Sequence, residues 1–125
     1  MFRQRIVIVF VVLLVLAGIG FWIVANSAGT RLQDASHIAA VKRELRALAA
    51  AQDSFRMSNP SYAINVGAVW GSRAEEAGVQ LRVMEADTSG FLAEGRHATW
   101  AGHCVVALGR FTGDSLRPGE PLCHE

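Results

Sequence analysis

"LAAAQDSFRMSNPSYA", Leu48 to Ala63, changes character halfway: an alanine-rich helical pattern runs through Phe55 into Asn59-Pro60, and a second aromatic follows at Tyr62. Proline lacks the amide hydrogen that a helix interior requires and pushes the preceding residue out of the helical region, so the helix is expected to stop at Asn59-Pro60. Upstream, Ile38, Val41, Leu45, Leu48, Gln52 and Phe55 follow one another at spacings of three, four, three, four and three. That period draws one stripe along one face of a helix. Lys42, Arg43, Glu44, Arg46, Asp53 and Arg56 fall mainly on the opposite side. Core packing is the reading of the stripe, because barely three heptads is too short for a coiled-coil seam. Thr30 or Asp34 is the expected opening of this amphipathic helix, which is then placed at about 31–58.

Further upstream lies the run "IVIVFVVLLVLAGIGFWIVA", Ile6 to Ala25, twenty residues without a charge. At about 1.5 Å per residue such a helix covers roughly 30 Å, the hydrocarbon thickness of a bilayer. A buried helix of a small soluble protein would show a polar stripe, and none is visible here. The run is read as a transmembrane helix, 6–25, in contact with membrane lipid. Arg3 and Arg5 precede it and no Lys or Arg follows until Arg31, which places 1–5 in the cytoplasm and the C-terminal part outside it, a single pass through the inner membrane. The length argues for a retained anchor over a cleaved signal peptide, whose apolar region is typically about 7 to 15 residues; Ala25-Asn26-Ser27 is a poor cleavage site. Gly18-Ile19-Gly20 lies inside the run, where it eases helix packing.

The remaining residues, 26–125, form one small domain with ten Lys or Arg against eleven Asp or Glu. That balance offers no basic face for nucleic acid. Beyond the helix the hydrophobic period shifts to two. Val79, Leu81 and Val83 alternate with Gln80, Arg82 and Met84; Phe91, Ala93 and Gly95 with Leu92, Glu94 and Arg96; Cys104, Val106 and Leu108 with Val105, Ala107 and Gly109. Asp87-Thr88-Ser89-Gly90 and Ala101-Gly102 supply turns, so a three-stranded antiparallel sheet over about 79–109 with one face on the helix is expected. Residues 63–78 are read as a connection with a short helical turn around Arg73 to Ala77. The fold class is thus α+β, a long N-terminal helix on a small antiparallel sheet.

Both cysteines, Cys104 and Cys123, fall in the part expected to be exported, where an oxidising compartment favours a disulfide. The pair would close the Gly- and Pro-containing C-terminal loop onto the third strand. His103-Cys104 and Cys123-His124 also suggest a Cys2His2 metal set, but neighbouring residues on a strand point to opposite faces and neither pair has a spacer, so the disulfide is favoured over zinc. His37, His97, His103 and His124 are scattered among serines with no G-x-S-x-G, no H-E-x-x-H and no phosphate-binding glycine loop. No catalytic residue, cofactor, metal site or small-molecule substrate is read from the sequence, and the chain is not expected to be an enzyme.

The order of parts resembles the type IV pilins and pseudopilins: an apolar N-terminal helix continuing into an amphipathic one, a loop with a tyrosine, a small antiparallel sheet and a disulfide-closed C-terminal loop. In that family the helical spine commonly ends in a glutamine, an aromatic, an asparagine and then Tyr-Ala, which here are Gln52, Phe55, Asn59 and Tyr62-Ala63. "GVQLRV", "SGFLAEGRHA" and "CVVALG" are similar in style to the family's strands, and the likeness covers about residues 32–123. It implies a non-enzymatic structural protein, a minor component of a type IV pilus or type II secretion-like system, whose partners are other pilin-like subunits or envelope proteins. The family's prepilin-peptidase site has no counterpart in "MFRQR": there is no glycine and no acidic residue before Asp34, and Gly20-Phe21 falls too late in the apolar run. The alternative is a single-pass envelope protein whose periplasmic domain binds a ligand or another protein.

Overall fold

With no proline before Pro60, no residue breaks the backbone hydrogen-bond ladder, and the chain is helical from Phe2 to Ser58 (α1). In the computed structural model residues 1–71 and 73–125 are described, apart from the side chains of 26–28; the Ala25-Asn26-Ser27 site therefore falls largely outside the described side chains. The chain divides into two compact units, Met1–Ala35 and Ser36–Glu125. The amphipathic helix is not opened by Thr30 or Asp34, because the chain is already helical there. Capping residues favour a helix start only where the preceding backbone leaves the helix, and here it does not.

After α1 come a short helix α2 (Val66–Trp70) and four strands, β1 (Val79–Ala86), β2 (Gly90–His97), β3 (His103–Gly109) and β4 (Leu122–His124). The strands form one antiparallel sheet in the order β1-β2-β3-β4. Two sequence expectations are corrected. The helical turn placed at Arg73 to Ala77 lies instead at Val66–Trp70, where the Asn65 side chain accepts from the Gly67 amide at 2.8 Å and caps it. The sheet has a fourth strand, too short to display a period of two.

Within the second unit, Val41, Leu45 and Leu48 of α1 bury their whole surface in one cluster with Phe91, Ala93, Cys104 and Val106. Each strand contributes alternate residues to that core, as the pleat dictates. A bulge between Val83 and Glu85 keeps the alternation useful. Val83 pairs with Ala93, and an unbroken ladder would next set Met84 against Leu92 and Glu85 against Phe91. The extra residue instead sets Glu85 against Leu92 and Ala86 against Phe91. An apolar side chain thereby replaces a carboxylate beside the fully buried Phe91.

Gly95 decides how close the helix comes to the sheet. A methyl group there would lie 2.8 Å from a Val41 methyl, 3.0 Å from Leu81 and 3.1 Å from Leu45, so the residue opposite α1 has to lack a side chain.

Candidate functional site

Three groups of side chains stand out: an apolar surface on α1, a junction that fixes the helix to the sheet, and clusters of polar residues. The first is α1 itself. It is long and apolar enough to cross a membrane, and residues 1–25 are exposed throughout. Ile6, Phe10, Leu13, Leu16, Phe21 and Trp22 all present their side chains outward.

The second group lies at the C-terminal end of α1. Gln52 occupies a stripe position yet is polar and fully buried. Its amide nitrogen donates to the Ala63 carbonyl at 2.7 Å, and its amide oxygen accepts from the Ala63 backbone N–H at 2.9 Å. One side chain thus satisfies both backbone groups of a buried loop residue, as a strand partner would. Asn59 donates to the Phe55 carbonyl at 2.8 Å and satisfies one of the carbonyls orphaned where the helix ends. Arg56 donates to the Asn59 carbonyl at 3.0 Å and to the Thr88 carbonyl at 3.2 Å, linking the helix end to the β1–β2 turn. Tyr62 continues the connection: its amide donates to the Asp87 carbonyl at 3.0 Å and its ring stands 5.7 Å from that of Phe91.

Asp87 organises that turn. One of its carboxylate oxygens accepts from the Ser89 amide (2.8 Å), the Ser89 hydroxyl (2.7 Å) and the Gly90 amide (3.0 Å), while the other accepts from Arg110 at 2.7 Å. The hydrogen bonds from Ser89, aided by the Arg110 guanidinium, hold its carboxyl down at about 2, below its ordinary 3.8.

No protein-family model matches the chain, and no curated protein matches it.

The residues singled out in the sequence are placed as follows. Val41, Leu45 and Leu48 of the stripe are fully buried, while Ile38 and Phe55 are half-buried at its two ends. Cys104 and Cys123 are directly opposite one another on β3 and β4 and form a disulfide. A loop of 19 residues' separation closed in this way contributes about 3 kcal/mol in the chain-entropy account. His103 and His124 pair at the next register position on the opposite face, so the four side chains of the Cys2His2 reading do not converge. Among the described residues no three His, Cys, Asp or Glu side chains gather as a metal site. His37 and His97 stack at 3.8 Å, and both approach the Thr99 hydroxyl, at 2.9 and 3.0 Å.

Sequence reasoning missed two polar arrangements. Glu94, nearly buried on the sheet face away from the core, accepts from Arg96 at 2.7 Å and from Arg82 at 3.4 Å beside a shallow cavity of about 380 Å³. Its place in an alternating strand pattern set it on the outward face with Arg96, two residues along, but gave no sign that Arg82 reaches it from the neighbouring strand. Glu44, also buried, pairs with Arg73 at 3.1 Å, and Arg43 pairs with Glu76 at 2.8 Å, so the connection after α2 is strapped to α1 by two reciprocal ion pairs. No local pattern announces partners about thirty residues apart. In both clusters the carboxylates pair with arginines, while Glu44 Oε2 is buried without a hydrogen-bond partner among the described residues.

Proposed function

We propose that the chain is a membrane-anchored, pilin-like structural protein of the inner membrane, with its N-terminus in the cytoplasm and residues 26–125 outside. The observation that carries the reading is the division of labour along α1: an exposed apolar segment at one end, and at the other a stripe packed on an antiparallel sheet and locked through Gln52 to Ala63. The residues in that lock, with Phe55, Asn59 and Tyr62, are among those whose order carries the likeness to pilins and pseudopilins. The disulfide that ties the C-terminal segment to β3 supports the same reading. In this proposal the function is packing: the apolar helix is buried in lipid or against helices of pilin-like neighbours, and the outer domain offers its surface to envelope partners.

Two measurements test it. Reporters that work only in the periplasm or only in the cytoplasm, fused after Glu125, should report the periplasm; cytoplasmic activity alone overturns the orientation. A photo-crosslinking residue at Val9 or Leu13 should capture pilin-like subunits in the native membrane. Capture of unrelated proteins, with neither lipid nor pilin-like subunits, overturns the structural role.

A further inference from the structure

We propose that His103 and His124 form a two-imidazole chelating site for a late first-row divalent cation, Cu²⁺, Ni²⁺ or Zn²⁺, which clips β4 to β3 on the face opposite the disulfide. The register carries the argument. Cys104 pairs with Cys123, and His103 with His124 one position along. Successive side chains of a strand point to opposite faces, so the disulfide closes the core side of this strand pair while both imidazoles stand together on the other side. Directly opposed residues of an antiparallel pair hold their Cβ atoms about 4.5–5.5 Å apart, close enough for two rings to share an ion.

The separation of the rings is the one a shared ion would require. The two centroids are 5.6 Å apart with the planes tilted by 37°. An ion bound at roughly 2.0–2.1 Å to one nitrogen of each ring lies about 3 Å from each centroid, which sets the centroids about 5–6 Å apart at tetrahedral to trigonal angles. The other histidine pair does not meet this requirement. His37 and His97 stack face to face at 3.8 Å with their planes only 20° apart, and a ring nitrogen of each is engaged by Thr99.

Access and donor type favour the same pair. His124 is exposed on the short edge strand, and His103 is partly exposed. Arg96, the residue after the Gly95 that pairs with Cys104, has its guanidinium turned onto Glu94 at 2.7 Å, a carboxylate it shares with Arg82 at 3.4 Å. Because both thiols are in the disulfide, the donors are imidazole nitrogens, which suit copper, nickel and zinc and not the oxygen-seeking magnesium or calcium.

The test uses the full chain in detergent micelles under non-reducing conditions, titrated calorimetrically with Ni²⁺, Zn²⁺ and Mg²⁺. One Ni²⁺ or Zn²⁺ per chain and no heat from Mg²⁺ are expected. H103A or H124A should weaken Ni²⁺ binding on the order of a hundredfold, since each removes the intramolecular second ligand. H37A and H97A should leave it unchanged. In the unmutated chain, substoichiometric Cu²⁺ should broaden the imidazole signals of His103 and His124 before those of His37 and His97, a reading that does not depend on any variant folding. Absence of Ni²⁺ and Zn²⁺ binding, binding that survives in H103A and H124A, or first broadening at His37 and His97 overturns the proposal.

Discussion

At the scale of single residues, two polar side chains hold backbone groups in ways that hydrophobic patterning does not show. Gln52 fills a core position because the loop residue Ala63 brings a buried N–H and C=O to it, and leaving either unpaired costs about 1–3 kcal/mol. Gln52→Ala should therefore lower the unfolding free energy by at least that amount, read from the denaturant midpoint. Gln52→Glu should also destabilise, because a carboxylate set against the Ala63 carbonyl has no proton to donate. Asp87 makes a pH-dependent contribution. Its folded-state carboxyl lies at about 2 against 3.8 ordinarily, so the stability it adds is fully present above 3.8 and is lost as pH falls through about 2. Acid titrations of wild type and Asp87→Asn, followed by circular dichroism, should differ above pH 4 and converge toward pH 2. Curves that stay parallel throughout would remove Asp87 from the account.

Elements meet where side chains are small. Gly95 lets α1 approach β2 closely, and a methyl group would press on Val41, Leu81 and Leu45 together. Gly95→Ala should destabilise by about 1–3 kcal/mol through overpacking. Val41→Ala combined with Gly95→Ala should recover part of that loss, since it removes the closest contact; strict additivity in a double-mutant cycle would mean that the two positions do not compete for space. The strand bulge at Val83/Glu85 belongs to the same scale. The period of two from Val79 to Val83 was legible, but the slip that spares the core from Glu85 was not, because a bulge changes pairing without changing local composition.

For the whole molecule, the proposed membrane role depends on Arg3 and Arg5 beside a span with no charge from Ile6 to Ala25. Drawing an arginine into an apolar environment costs roughly 2.5–3.5 kcal/mol by insertion scales, and more by other accounts. The protein should therefore stay with the membrane fraction when cells are sheared. Abundant protein in sheared filaments would show that the N-terminal arginines do not hold it there.

The sequence by itself determined the helix that is long and apolar enough to span a membrane, the stripe that meets the core, the three longer strands and the pairing of Cys104 with Cys123. These follow from periodicities and from a cysteine count, which are properties of neighbouring residues or of simple arithmetic. Only the tertiary structure decided that Gln52 locks Ala63, that Arg82 reaches Glu94 from the neighbouring strand, that a three-residue segment at Leu122–His124 joins the sheet, and that His103 faces His124 away from the disulfide. Each of these brings together partners that are distant in the chain or opposed across strands. Their proximity is set by where the loops return the chain to the sheet, and no local pattern carries that information.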